Sequence, residues 1–381
     1  MRNALLSHVK RVVVKIGSGV ISTNEGLDES MLASIAADLC DLRQQGLEVI
    51  VVSSGAVAAG KGQLGIVGRP QTIPQKQAAA AIGQTRIIRA YKDTFLDHDY
   101  MVAQVLLTRD DLSNRRRYLN ARNTLTTLLE YSVTPIINEN DTVVVEELRF
   151  GDNDNLSALV TSLIEGDLLI ILSDVDGFYD CDPSENPDAK LIPLVERITP
   201  QIEALAGDAK GTLGTGGMST KVKAAKRVGL AGVGTLIVNG RTPGILQQVL
   251  AGEEVGSYFL PAQSKLTAKK RWIAFSKKPR GKILVDQGAY RAVVKQGKSL
   301  LPAGVCAVEG VFERGDAVRV CDQQGTEFAK GVISYSQAEL LQIVGKQCSE
   351  IEAVLGYKYR DEIICRDDLV LTLAGEEESN E

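Results

Sequence analysis

Val51-Val52-Ser53-Ser54-Gly55-Ala56-Val57-Ala58-Ala59-Gly60 is the stretch on which the fold turns. β-Branched residues pass directly into small ones, which reads as a buried strand running straight into a helix. At such a junction the first helical N–H groups and the helix dipole suit a carboxylate or a phosphate. Small side chains also let a ligand lie against the backbone, although a plain strand–turn–helix junction reads the same way. The pattern recurs along the first 255 or so residues. Strands are predicted at Arg11–Ile16, Leu47–Val52, Tyr100–Leu107, Val133–Ile137, Asp167–Leu172 and Gly234–Val238. Helices are predicted between them at Asp28–Gln44, Gln75–Leu96, Arg109–Tyr131, Asn155–Glu165, Met218–Gly229 and Gly244–Leu250. This βαβα order makes an α/β fold, a mainly parallel sheet between helical layers. In such folds ligands sit beyond the carboxyl ends of the strands, so the chemistry belongs in the strand-to-helix loops.

Composition narrows the function. A chain of 381 residues, 44% hydrophobic and 24% charged, is a soluble globular protein with room for two domains. Its net charge of −5 argues against whole-chain attraction to nucleic acid or anionic membrane. The two histidines, His8 and His98, have no Ser, Cys or metal-ligand pattern beside them, which disfavours histidine-based nucleophilic catalysis. The six cysteines are scattered without a C-x-x-C, as expected of reduced thiols. Lys10 and Arg11 follow only a short apolar stretch, so no signal peptide is expected. No charge-free apolar run approaches the ~18 residues of a membrane span. The expected location is the cytoplasm.

The rhythm changes near Pro261. Between there and Lys282 stand eight basic residues and no acid. Short strand-like runs broken by glycine follow at Lys282–Val285, Val305–Val308, Ala317–Val320 and Phe328–Ser334, with one helix predicted at Gln287–Gln296. The expected organisation is a first domain over 1–258, a basic linker over 259–281, a small β-rich domain over 282–373 and an acidic tail over 374–381.

Four strand-end loops are chemically loaded. The first, Val14-Lys15-Ile16-Gly17-Ser18-Gly19, places a cation beside glycines that let the backbone approach phosphate oxygens. It lacks the G-x-x-x-x-G-K-[ST] spacing of a Walker A loop, and a tight turn with a surface lysine is the plainer reading. The second is Val51–Gly60. The third runs from Asn138-Glu139-Asn140-Asp141 through Glu146 and Glu147 to Gly151-Asp152-Asn153-Asp154-Asn155. It offers acceptors for an ammonium group, and its carboxylates could hold Mg²⁺ through water. Asp152 or Asn153 could also simply cap the following helix. The fourth pairs Leu172-Ser173-Asp174-Val175-Asp176-Gly177 with Gly214-Thr215-Gly216-Gly217-Met218-Ser219-Thr220-Lys221. Glycines and hydroxyls leading into a helix, with Lys221 one turn inside, make a second phosphate cradle. A flexible glycine loop is the bland alternative.

Two lysines, two phosphate-friendly turns and a polar acidic pocket without a histidine base suit phosphoryl transfer to a carboxylate. A γ-carboxyl with a pKa of about 4.3 is ionised at pH 7 and needs no base. The obstacle is an anion attacking an anion, which flanking lysines reduce.

At these residues the sequence resembles the glutamate 5-kinase (γ-glutamyl kinase) family, of the bacterial type with a C-terminal PUA domain, in the amino acid kinase superfamily. The motifs that carry the resemblance are VSSGAVAAG at 52–60, LLTRDDL at 106–112, PIINENDTV at 135–143, GDNDNLSALV at 151–160 and GTGGMSTKVKAA at 214–225. LVDQGAYRAV at 284–293, SLLPAGV at 299–305 and EGVFERGDAV at 309–318 resemble the PUA extension. The resemblance implies an amino acid kinase fold, an αβα sandwich on a mainly parallel sheet, followed by the PUA-like domain. It implies ATP-dependent phosphorylation of the γ-carboxylate of L-glutamate, the first step of proline biosynthesis. Lys15 and Lys221 would act on the transferring phosphoryl group, with Asp154 organising the lysines or a hydrated metal. Glutamate would bind at Ser54, Gly55, Asn138, Asp141, Asp152 and Asn153. ATP would bind at Lys15, Ser173, Asp174 and the run Thr215, Gly216, Gly217, Met218, Ser219, Thr220 and Lys221. Mg²⁺ is implied as the accompanying ion, with no ligand set assigned. Feedback inhibition by proline, a homo-oligomer (dimer or tetramer) and contact with glutamyl phosphate reductase are further implications.

Two other readings compete. A sister kinase for N-acetylglutamate or aspartate is not expected to carry the PUA extension, and a blocked amino group gains nothing from an acid at Asp141. An RNA-binding protein with a regulatory kinase-like half would use the basic linker. Ser276–Leu369, however, holds 14 basic against 13 acidic residues, where an RNA-reading module is usually basic.

Overall fold

The central β-branched runs become one sheet because each is apolar on both faces and has to be covered on both. The computed structural model describes residues 2–23, 26–66, 68, 70–143, 153–207, 217–262, 273 and 279–372. The chain divides into two compact units, Met1–Lys265 and Leu266–Glu381. The basic stretch expected as a linker lies outside the described residues between 263 and 272 and between 274 and 278, as do residue 373 and the expected tail 374–381.

In the first unit α1 (Arg2–Leu6) precedes β1 (Arg11–Ile16), and α2 (Ser18–Ile21) leads into a short hairpin of β2 (Ser22–Thr23) and β3 (Gly26–Leu27). Then come α3 (Glu29–Gln44), β4 (Glu48–Ser53), α4 (Ala56–Lys61), α5 (Ile73–Asp97) and β5 (Met101–Leu107). They are followed by α6 (Arg109–Ser113), α7 (Arg115–Glu130), β6 (Val133–Glu139), α8 (Asn153–Leu163) and β7 (Leu168–Ser173). The unit closes with β8 (Leu194–Val195), α9 (Pro200–Leu205), α10 (Met218–Gly229), β9 (Gly234–Asn239), α11 (Ile245–Leu250) and β10 (Ser257–Phe259). The sheet order is β5-β6-β4-β1-β7-β9-β10-β8. All pairs from β5 to β9 are parallel, and β10 runs antiparallel to β9. Every residue of β7 is buried, and β1 lies between β4 and β7, so the carboxyl ends of the central strands open side by side.

Several expectations change here. The single helix expected over Arg109–Tyr131 is two, because the Asn114 side chain accepts from the N–H groups of Arg116 and Arg117 and starts a new helix. The helix expected from Asn155 starts at Asn153, which moves Asn153 and Asp154 from loop into its first turn. Strands β8 and β10, two and three residues long, were not expected.

One crossing holds the Val51–Gly60 junction in place. A Cβ on Gly60 would lie 1.9 Å from the Ala79 carbonyl oxygen, and one on Gly83 would lie 1.8 Å from that of Ala56. Helices α4 and α5 therefore touch backbone to backbone. Helix propensity alone makes Gly→Ala favourable by about 1 kcal/mol. Here the added methyl must push the helices apart, so Gly83→Ala is expected to destabilise by about 1–3 kcal/mol. Urea denaturation measures it, and an unchanged or raised midpoint would refute the close crossing.

The second unit has the sheet order β12-β11-β13-β14-β15, from β11 (Pro279–Val285), β12 (Val305–Gly310), β13 (Ala317–Cys321), β14 (Glu327–Val332) and β15 (Leu369–Leu371). Only β11 and β13 pair in parallel. Ile283, Val318, Val320, Phe328, Tyr335 and Ile363 are in its core. Where one helix was expected, three stand among the described residues: α12 (Gln287–Val294), α13 (Gln337–Ile343) and α14 (Ile351–Leu355). Among the described residues no helix is long and apolar enough to cross a membrane.

Candidate active site

Helix α8 is buried although it is rich in hydroxyls. Ser157, Thr161 and Ser162 donate back to the carbonyls of Asp154, Ser157 and Ala158 at 2.6, 2.7 and 3.1 Å, so their polar atoms need no water. The helix can therefore pack against β1, β4, β6, β7 and α10 and deliver Asn153 and Asp154 to the strand ends.

Asp154 is the centre of the charged cluster. Its side chain is 1% exposed, and Oδ1 lies 2.7 Å from Lys15 Nζ while Oδ2 lies 3.6 Å from Lys221 Nζ. Thr220 donates its hydroxyl to Oδ2 at 2.5 Å. Burial would raise the Asp154 carboxyl, but Lys15, Lys221 and the donated hydrogen bonds outweigh it and hold the group at about 2. Lys221 is lowered, first by burial and then by Lys15, against the raising charges of Asp154 and Asp174. Two buried ammonium groups thus share one buried carboxylate, with the charge of Asp174 also acting on Lys221. The sequence paired the lysines with phosphate but carried no sign that Thr220 bonds to Asp154, 66 residues away.

Beside this cluster lies an amide site. Asn153 Nδ2 donates to the Ser53 carbonyl, Ser54 Oγ and Asn138 Oδ1 at 3.0, 2.9 and 2.9 Å. Asn138 Oδ1 also accepts from the Glu139 N–H at 2.8 Å. These bonds orient the Asn153 amide and leave its buried Oδ1 without a partner among the described residues. That acceptor is one a donor on a ligand can satisfy. Ser53 is fixed from behind by the buried Tyr91 hydroxyl at 3.1 Å, another partner the sequence did not reveal. Gly55 has φ +90°, a left-handed conformation that turns the chain from β4 into α4. Asp141 lies in the turn after β6, where burial and the neighbouring Glu139 push its carboxyl up to about 7. Asp152 lies outside the described residues.

The expected nucleotide residues gather at the same end of the sheet. Ser173 ends β7 and is buried, and its hydroxyl donates to the Asp174 carboxylate at 3.2 Å. Gly19 leaves room for that carboxylate, since a Cβ there would lie 2.7 Å from Asp174 Oδ2. Gly217 is the N-cap of α10, Met218 and Ser219 form its first turn, and Thr220 and Lys221 follow. Thr215 and Gly216 lie outside the described residues. Among the described residues no three His, Cys, Asp or Glu side chains gather as metal ligands, and the Asp154 oxygens face the two lysines and Thr220. The described side chains do not fit a magnesium cage.

The profile of the amino acid kinase family matches residues 10–239, and that of the PUA domain matches residues 281–355. The chain is similar to the glutamate 5-kinase of Syntrophotalea carbinolica, at 63% identity over 371 residues that cover 97% of this chain and 100% of that one. Against the glutamate 5-kinase of Geobacter sulfurreducens the identity is 58% over 372 residues, again 97% of this chain and 100% of the relative. Among solved structures, a UMP kinase from Bacillus anthracis covers 68% of this chain and 98% of its own, with a TM-score of 0.47 at 16% identity.

Proposed function

Because the chain belongs to the amino acid kinase family, stands among its glutamate 5-kinases and carries a PUA domain, we propose that its first unit transfers the γ-phosphoryl group of ATP to the γ-carboxylate of L-glutamate. The products are L-glutamyl 5-phosphate and ADP, and the step opens proline biosynthesis. The observation that carries the reading is the buried pair Lys15 and Lys221 on one Asp154 carboxylate, next to the Asn153 amide site. A carboxylate oxygen attacks the γ-phosphorus and the bond to the β,γ-bridging oxygen breaks. No proton is transferred, which suits a site without a base. The two ammonium groups offset the charge shared between the attacking and leaving oxygens. Asp154 keeps them spaced, and its charge opposes the lowering of Lys221 by burial. Ser54, Gly55, Asn138, Asp141, Asp152 and Asn153 take glutamate, while Ser173, Asp174, residues 215–219 and Lys221 take ATP. Magnesium, on this reading, travels with the nucleotide phosphates.

The direct test is ATP consumption with glutamate, N-acetylglutamate and aspartate, each with and without proline. Turnover with glutamate alone, reduced by proline, is expected; preference for N-acetylglutamate overturns the assignment. Family resemblance supports the further readings of a cytoplasmic homo-oligomer, dimer or tetramer, that hands its acyl phosphate to glutamyl phosphate reductase. It also supports the division at 258 and 282, with the reaction confined to residues 1–258.

Substrate binding is expected to depend on pH. Asp141 receives the α-ammonium only when ionised, and in the free chain its carboxyl titrates at about 7. The KM for glutamate should therefore fall as pH rises from about 6 to about 8, by up to tenfold per unit on the acid side. Asp141→Asn should raise that KM by about 10- to 150-fold, leave the KM for ATP unchanged and flatten the slope. A wild-type KM that does not vary with pH refutes the assignment.

A further inference from the structure

Thr220 stands in the run expected to hold ATP, yet its hydroxyl is already engaged. Oγ1 lies 2.5 Å from Asp154 Oδ2 and 2.8 Å from the Gly217 carbonyl oxygen. A threonine hydroxyl has one proton to donate, and both neighbours are acceptors. The charged carboxylate is the stronger of the two. A nucleotide phosphate oxygen is an acceptor as well, so the proton that serves Asp154 cannot serve ATP at the same time.

The bond also lies where it can control the lysines. Asp154 is 1% exposed, so water does not replace a lost donor. Lys15 is within hydrogen-bond distance of Oδ1 at 2.7 Å, whereas Lys221 stays 3.6 Å from Oδ2. Thr220 occupies that second oxygen at closer range. Without it, the ammonium of Lys221 is drawn onto the bare Oδ2 and away from the transferring group.

We infer that Thr220 is a positioning residue whose hydroxyl fixes the Asp154 carboxylate between Lys15 and Lys221 and takes no part in holding the nucleotide. The inference rests on the phosphoryl-transfer reading above for its kinetic consequence, but not for its claim about nucleotide binding.

The test compares Thr220→Val, which keeps the shape and loses the hydroxyl, with Thr220→Ser, which keeps the hydroxyl. Steady-state kinetics are paired with calorimetric binding of adenylyl imidodiphosphate, which reports affinity without turnover. In Thr220→Val, kcat should fall by about 10- to 100-fold. Both KM values and the analogue affinity should stay within about twofold, the pattern of an interaction that matters only in the transition state. Thr220→Ser should recover kcat to within about threefold of wild type. A tenfold or greater loss of analogue affinity in Thr220→Val overturns the inference, as does an unchanged kcat or a failure of serine to rescue. If the wild-type chain does not turn over glutamate, the reaction reading fails instead. Calorimetry then still decides: unchanged affinity supports the inference and a tenfold loss overturns it.

Discussion

A chain with Lys221→Met turns over about 10²- to 10³-fold more slowly than wild type, and Lys15→Met loses a similar factor. Both lysines are about 5% exposed, and methionine approaches their length without a charge, so it fills the same space. Each variant also leaves Asp154 with the other lysine and with Thr220, so the carboxylate is not stranded. The loss should therefore appear in kcat, with KM for either substrate little changed and the melting temperature lowered only modestly. Steady-state rates beside circular-dichroism melts separate the two effects. Near-wild-type turnover in either variant removes that lysine from the transferring group. In the wild-type chain, burial and the charge of Lys15 lower Lys221, so the alkaline limb of kcat should begin below the range of an ordinary lysine.

The sheet was legible because burial on both faces leaves a compositional mark. Leu168–Ser173 is buried throughout, and only uninterrupted apolar runs can fill such a position. Strands β8 and β10 have no such mark: two or three residues carry no period, and their pairing is decided by chain far away in sequence. The break at Asn114 was readable in principle, since asparagine before a helical run is a cap. The helical pattern on both sides of it hid the signal. The start of α8 was obscured differently. Asp152 and Asn153 are each plausible caps, and the helix itself begins at Asn153.

The site was legible as an inventory and not as a geometry. Lys15 and Lys221 stood out because lysine beside glycine at a strand end or helix start is chemically conspicuous. Their meeting on one carboxylate depends on α8 and α10 packing together at those strand ends. The hydroxyl of Thr220 was grouped with the nucleotide because it adjoins Lys221 in sequence. Consecutive helical residues point about 100° apart, so adjacency alone says nothing of a shared partner. Here the two side chains reach the same oxygen, a relation that only the tertiary structure creates.

Asp154 should be the least replaceable residue of the site, for a reason its neighbours do not share. Removing one lysine leaves a carboxylate with a cation beside it; removing the carboxylate leaves two buried cations with their common counter-ion gone. Breaking a buried pair from that side typically costs about 3–5 kcal/mol. Asp154→Ala is thus expected to lower stability by that order and to abolish measurable turnover. Asp154→Asn keeps the shape and one acceptor oxygen, so it should fold better while losing the charge that holds Lys221 up. Burial then drives Lys221 to its neutral amine at lower pH, and the alkaline limb of any remaining activity should move down. Acid stability follows the opposite sign. The Asp154 carboxyl is held at about 2 in the folded chain against an unfolded value of 3.8. Its contribution, on the order of 2 kcal/mol, is complete above about pH 4 and is lost as pH falls towards about 2. Urea denaturation of wild type and Asp154→Asn across that range measures the difference. The two stabilities should differ most near neutrality and converge in acid; a gap that stays constant with pH would mean that the charge of Asp154 is not what the lysines lean on.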